Sequence, residues 1–306
     1  MSNTEEGKNH NNLLHKILFS LIALAVISFL LYSATKTQNK NDSAEIFTAT
    51  STHPAYFFES DTFTDAIERV KQSDKKYPEP ILGGVIPHHL LPSFIIADLF
   101  KNLANQKPDT VILIGPNHYE LGEKPILSSV EGWETPFGLV EPDQKILKDL
   151  HDKNIISFDE KVLDREHSVG GIVPFLKYYI PNAKIVPIIL SGNLTMDQIR
   201  SLVEAVAPKI NKKTVVIASV DFSHYQIKSQ AEANDEITLR LMQMKDYPQI
   251  MRLNSAYVDS PPSIITLLMI MEKKGKNEFN LIYHTNAGEI LKDTSHEVTS
   301  YFSFVF

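Results

Sequence analysis

The sequence predicts an α/β protein: a mostly parallel sheet with helices on both faces, preceded by an N-terminal transmembrane helix. Three observations predict it. From about residue 53 to residue 306, short β-branched runs alternate with helical patterns, the alternation that parallel strands and their crossover helices require. Near the N-terminus, residues 17–34 form an apolar stretch of 18 residues without a charge. The composition, 43% hydrophobic and 22% charged with no Cys, supplies a large core and excludes disulfides and thiolate metal ligands.

Taken in order, residues 1–12 (MSNTEEGKNHNN) are a polar tail and residues 13–34 are the anchor. Its uncharged residues would span roughly 27 Å as a helix, close to the hydrocarbon thickness of a bilayer. A cleaved signal peptide would carry a shorter apolar region and a small-x-small site, which Tyr32-Ser33-Ala34 matches poorly. The expectation is a single-pass membrane protein with its main domain outside the cytoplasm. Residues 35–52, rich in Thr, Ser and Asn, read as a linker, and residues 53–306 as the folded domain.

Within that domain, residues 82–86 and 110–114 are strands stopped by Pro87 and by Gly115-Pro116, with a helix over 93–103 between them. A helix over 172–179 precedes a strand over 184–190, whose Pro187 argues for an edge or a bulge. Thr195 caps a helix over 196–210, and residues 214–220 (TVVIASV) form the most clearly buried strand. Helices over 231–244 and 263–274 and strands over 279–283 and 301–306 complete the alternation. The net charge of −7 falls entirely on residues 35–306, because residues 1–34 hold two Lys and two Glu. That balance argues against a nucleic-acid partner bound through a basic surface.

Histidines mark the chemistry. Nine lie beyond the N-terminal segment, and four strands run directly into one: into His88-His89, His118, His224 and His284. Ligands of open α/β sheets bind outside the carboxyl ends of the strands, so imidazoles delivered by such loops can meet. Without Cys, imidazole and carboxylate remain to hold Fe(II), Mn(II), Cu(II) or Zn(II). Any one of these histidines could equally be an ordinary hydrogen-bonded residue.

Five strings then occur in a fixed order: Ile86-Pro87-His88, Leu113-Ile114-Gly115-Pro116-Asn117-His118, Thr135-Pro136-Phe137-Gly138, Glu166-His167-Ser168 and Ser219-Val220-Asp221-Phe222-Ser223-His224. Together they resemble the Memo family, whose prokaryotic members include AmmeMemoRadiSam system protein B. That family's pattern runs PHAG, GPSH or GPNH, TPLG, EHSxE and SSDF(S/C)H, and the resemblance covers roughly residues 53–306. It implies a fold like that of class III extradiol dioxygenases. It implies a metal at His88 and His118, with Asp221 and His224 lining the same cleft. A Cys completes the family's metal set; here the matching stretch reads Val258-Asp259-Ser260-Pro261-Pro262-Ser263-Ile264 and puts Asp259 at about that position. His88, His118 and Asp259 would then form a two-histidine, one-carboxylate set that suits Fe(II) or Cu(II), with Zn(II) as an alternative. Asp259 could instead merely cap the following helix.

PHAG has become Pro87-His88-His89-Leu90, and the second carboxylate of EHSxE is absent. His167 remains as a candidate general base or oxyanion donor, beside Asp221 and His224 as acid–base candidates. Three functions stay open: a metal-dependent oxidoreductase, a metal-dependent hydrolase, and a non-enzymatic module that binds a peptide or small molecule. The family name also implies association with a radical SAM protein and an AMMECR-type protein.

Overall fold

The computed structural model describes residues 51–306 and, ahead of them, Ser28. The strands are β1 (Thr52–His53), β2 (Gly83–Ile86), β3 (Thr110–Pro116), β4 (Ile126–Ser128), β5 (Gly132–Trp133), β6 (Ser157–Phe158), β7 (Lys184–Leu190), β8 (Thr214–Ser219), β9 (Asn280–Asn286) and β10 (Ser300–Val305). The helices are α1 (Ser60–Lys71), α2 (Ser93–Gln106), α3 (Gln144–Asp152), α4 (Glu160–Leu163), α5 (His167–Gly170), α6 (Val173–Tyr179), α7 (Met196–Val206), α8 (Lys228–Met244), α9 (Tyr247–Ile250), α10 (Pro261–Lys273) and α11 (Ala287–Leu291).

Eight strands form one sheet in the order β6-β4-β7-β3-β8-β2-β10-β9, and β1 pairs with β5 apart from it. The expected mostly parallel sheet needs correction. Four pairings are parallel (β2/β8, β8/β3, β3/β7, β4/β6) and three antiparallel (β2/β10, β10/β9, β4/β7), so the sheet is mixed. The physical reason lies in two connections. Residues 117–125 and 287–299 turn the chain back at the carboxyl edge without a full-length crossover helix, so β4 and β10 descend beside ascending strands.

The expected transmembrane helix over 13–34, and with it the single-pass localisation, also needs correction. Among the described residues no helix is long and apolar enough to cross a membrane. The longest, α8, has 17 residues and carries Lys228, Glu232, Asp235, Glu236 and Arg240, where a span needs about 20 mainly apolar residues. Apart from Ser28, the residues expected to form the anchor lie outside those described, as do the tail and most of the linker.

The central strands are apolar on both faces. Val111, Leu113, Ile185, Ile189, Val215 and Ile217 pack with α1, α2 and α6 in one layer. Ile112, Ile114, Val186, Ile188, Val216 and Ala218, all unexposed, alternate with them. Burying each Ile, Leu or Val contributes about 1.5–3 kcal/mol relative to exposing it, which makes this core the main source of stability. Pro187 sits in β7 between β3 and β4, not at an edge. Its carbonyl accepts from Ser128 Oγ, so its missing N–H is on the β4 side, where β4 pairs with Ile189 and Leu190 alone.

On α2, Asp98 is 1% exposed and accepts hydrogen bonds from Tyr77 Oη (3.2 Å) and Tyr283 Oη (2.8 Å). Burial first, and the Asp98 carboxylate second, push both phenols well above their ordinary range. Their folded pKa values are raised, so the stability from the neutral phenols is complete below about pH 10 and is lost as pH climbs above it. In a pH series of thermal unfolding, Tyr77→Phe with Tyr283→Phe should flatten the loss above pH 10. An unchanged slope would show that these phenols are not the groups responsible.

Gly115 ends β3 against α5. A Cβ there would lie 2.5 Å from Ser168 Oγ and 2.8 Å from Ser168 Cβ, and Ser168 is fully buried. Gly115→Ala should therefore destabilise the fold by about 1–3 kcal/mol, with Tm falling by about 2–4 °C for each. An unaltered Tm would mean that α5 can shift freely from β3.

Candidate metal centre

Strands β3, β8 and β2 are adjacent, and their carboxyl ends release the loops that carry His118, Asp221 and His88. The shared edge inferred from the sequence is present. His88 (3% exposed) and Asp221 (2%) are buried, and the His118 side chain is 23% exposed. The rings of His88 and His118 stand 4.8 Å apart at 88°. His167, the first residue of α5, stacks on His118 at 3.9 Å and meets His88 edge-on at 5.1 Å.

Hydrogen bonds fix which nitrogen each ring presents. His88 Nδ1 donates its N–H to the Ser219 carbonyl at 3.2 Å, so Nε2 is the nitrogen turned toward the carboxylates. His118 Nδ1 donates to Glu166 Oε1 at 2.7 Å. Both Nε2 atoms face Asp259 Oδ2, at 3.2 Å from His88 and 4.0 Å from His118. Asp259 does not cap α10; Ser260 does, accepting from Ser263 N. Its Oδ1 is buried without any hydrogen-bond partner. A carboxylate with one buried oxygen, Oδ1, unpartnered and the other, Oδ2, opposite two imidazole nitrogens fits a divalent cation. His88, His118 and His167 offer ligand atoms within 4.8 Å of one another, as do His88, Asp221 and Asp259.

Asp221 acts differently from a carboxylate that orients an imidazole. Its two oxygens accept from the backbone N–H groups of His88 (3.1 Å) and His89 (3.3 Å), and Oδ2 lies 3.6 Å from His88 Nε2. The carboxylate that does orient an imidazole is Glu166. It accepts His118 Nδ1–H, His118 N–H (3.0 Å) and Ser168 N–H (2.9 Å), and is 1% exposed. The sequence signal for it was the acidic residue at the N-terminus of α5, which reads first as a helix cap and is one.

Charges in the cluster pull in opposite directions. Burial pushes His88 down, but the Asp221 and Asp259 carboxylates outweigh it and raise it to about 9. Burial, then the His118 and His88 charges, lower His167 to about 4. Burial would raise Glu166, yet the His118 hydrogen bond and charge with the two amides hold it at about 2.

The remaining histidines divide. His224 lines the cavity with its Nδ1 tied to the Phe222 carbonyl, and His89 bonds Tyr301 Oη at 2.6 Å. His284 lies inside β9, bonded to buried Asp235 at 2.8 Å and stacked on Phe302, and does not join the cluster. A cavity of about 990 Å³ opens over the cluster, walled by Phe57, Leu90, Phe94 and His89 and reaching Arg69 on α1. A smaller one of about 230 Å³ lies beyond His118, His224 and Asp259.

Fold and cluster define the class: a mixed α/β protein with imidazoles and carboxylates that could hold a metal at the ends of its central strands. Residues 55–305 match the Memo-like protein family, and the chain belongs to that family. A MEMO1 family protein of Pyrobaculum aerophilum is 31% identical over 239 residues, covering 74% of this chain and 83% of its own. Those of Methanococcus maripaludis strain C5 (31% over 245 residues, 75% and 84%) and Methanosarcina barkeri (32% over 222 residues, 70% and 82%) are similar.

Glu166→Ala tests the wiring of His118. It removes the acceptor of His118 Nδ1–H and leaves the Asp259 carboxylate, 4.0 Å from Nε2, to accept from the ring. His118 should switch to the Nε2–H tautomer, turning an N–H toward Asp259. Long-range ¹⁵N–¹H NMR reads this directly; an unchanged Nδ1–H tautomer would show that another group sets it.

Proposed function

We propose that this Memo-like protein is a metal-dependent oxidoreductase whose ion is held by His88, His118 and Asp259. The observation that carries this reading is the convergence of two oriented Nε2 atoms on Asp259 Oδ2, with Oδ1 buried and unpartnered. Two imidazoles and a carboxylate suit Fe(II) or Cu(II), and Zn(II) fits the same donors. When bound, a redox-active ion supplies electron exchange with O₂ or substrate, and Zn(II) would supply Lewis acidity alone.

The chain's own residues divide the remaining work. Asp221 fixes the loop that carries His88 by accepting its amide and that of His89. Glu166 keeps His118 in the tautomer that presents Nε2. His167, held neutral first by burial and then by the His118 and His88 charges, lines the large cavity as a neutral acid–base group. His224, with Nδ1 engaged, presents Nε2 to the same cavity as the second acid–base group. Phe57, Leu90 and Phe94 give the substrate side of the cavity an apolar wall.

Calorimetric titration of the metal-free full chain with Fe(II), Cu(II) and Zn(II) tests the ion site. His88→Ala with His118→Ala, or Asp259→Ala, should abolish binding at this site, and Asp221→Ala should weaken it by about 10–100-fold. If no ion binds this site tighter than about 0.1 mM, near −5.5 kcal/mol, a peptide or small-molecule binding module replaces the proposal. A site that accepts Zn(II) but strips Fe and Cu on one reduction–reoxidation cycle in O₂ would favour the hydrolase.

A further inference from the structure

A second convergence of imidazole and carboxylates lies away from this cavity, where β1, the turn between β4 and β5, and α4 meet. His53, at the end of β1, is 1% exposed and stacks on Trp133 at 4.2 Å. Its Nδ1 faces Asp164 Oδ1 at 3.4 Å, while its Nε2 lies 3.1 Å from Glu160 Oε2 and 2.8 Å from Ser129 Oγ. A Glu131 carboxylate oxygen completes the group, with one ligand atom from each of His53, Glu131 and Glu160 within 4.8 Å of the others.

The hydrogen count is short. A neutral imidazole carries one N–H, while Nδ1 faces Asp164 Oδ1 and Nε2 faces Glu160 Oε2, so in either tautomer one nitrogen stands opposite a carboxylate oxygen with no hydrogen between them. With the N–H on the Asp164 side, Nε2 and Glu160 Oε2 are two acceptors 3.1 Å apart, and Ser129 has a single hydroxyl hydrogen to offer. Among the described residues no Lys or Arg pairs with Glu131 or Glu160; the nearby Arg165 sits on Asp164, with its guanidinium over Tyr56. The arrangement repeats that of His88, whose Nδ1 is engaged and whose Nε2 faces a carboxylate oxygen at 3.2 Å. A carboxylate behind the far nitrogen of an imidazole is also how ligating histidines are usually oriented.

We propose that His53, Glu131 and Glu160 form a second divalent-cation site, separate from the His88 cluster and suited to a borderline transition ion such as Zn(II). One imidazole and two carboxylates give the nitrogen and oxygen donors that such an ion takes. The ion pins the chain four residues before Phe57, which packs on Gly170 and faces the His167 ring at 6.0 Å. It is therefore a staple that holds one wall of the large cavity. A proton on Nε2 is the competing way to fill the gap, and metal titration separates the two.

Trp133, the only tryptophan in the sequence, reports on the site because it stacks on His53. The metal-stripped full chain titrated with Zn(II) should take two equivalents, one of which changes Trp133 emission. His88→Ala with His118→Ala should keep the equivalent that Trp133 senses. Glu160→Gln, whose carbonyl can still accept from Val130 N, should weaken that equivalent by about tenfold or more and silence the emission change. Uptake of Zn(II) without any Trp133 response, or a response unaltered by Glu160→Gln and by His53→Asn, would overturn the proposal. If the His88 reading alone fails, one equivalent binds and Trp133 responds; if this site alone fails, one binds and Trp133 is silent. The wild-type titration gives that answer even where a variant does not fold.

Discussion

A reciprocal tie between Asp221 and Asp259 holds the site together. Asp221 N–H donates to Asp259 Oδ2 at 3.2 Å, and Asp259 N–H donates to the Asp221 carbonyl at 3.1 Å. Beside it, Phe222 bridges Val258, and His224 N–H donates to the Ser255 carbonyl. The segment after β8 and the segment before α10 thus move as one piece. The Asp221 carboxylate extends the tie to the loop after β2 through the amides of His88 and His89. Asp221 thus ties two segments remote in sequence to its own loop: the loop after β2 through its carboxylate and the segment before α10 through its backbone. Removing that carboxylate leaves buried amides unpaired, at about 1–3 kcal/mol for each.

The cluster is also an electrostatic arrangement in which a positive charge has a place prepared. Asp221 and Asp259 raise His88 despite its burial, while like charge and burial lower His167 a few ångströms away. Neighbouring imidazoles pushed in opposite directions can hold different roles at one pH, one a cation or a ligand and the other a neutral base. Glu166, kept ionised by three donors, supplies the fixed negative charge behind His118. The same economy of charge recurs at His53, where two carboxylates meet one imidazole nitrogen.

Much of this was legible in the sequence because strand ends are marked by sharp local signals. Pro87 and Gly115-Pro116 stop β-branched runs close to His88 and His118, and the structure brings both histidines together with Asp259. Strand direction was not legible. It depends on whether a connection carries the chain back across the sheet, and residues 117–125 and 287–299 turn instead at the carboxyl edge. Nor were pairings between distant residues: His284 looked like a strand-end ligand, but Asp235 of α8 claims it. Glu166 could be seen as a helix cap, yet only the approach of β3 to α5 gives it His118. His53 carried no local mark, since Glu160 lies 107 residues further along the chain.

Anomalous diffraction at the metal edge, from crystals of the full chain grown with Zn(II) or Fe(II), tests the central claim most directly. The account predicts a peak within about 2.0–2.2 Å of His88 Nε2, His118 Nε2 and an Asp259 carboxylate oxygen. Full loading with the peak elsewhere, or with Asp259 turned away from the ion, would contradict it.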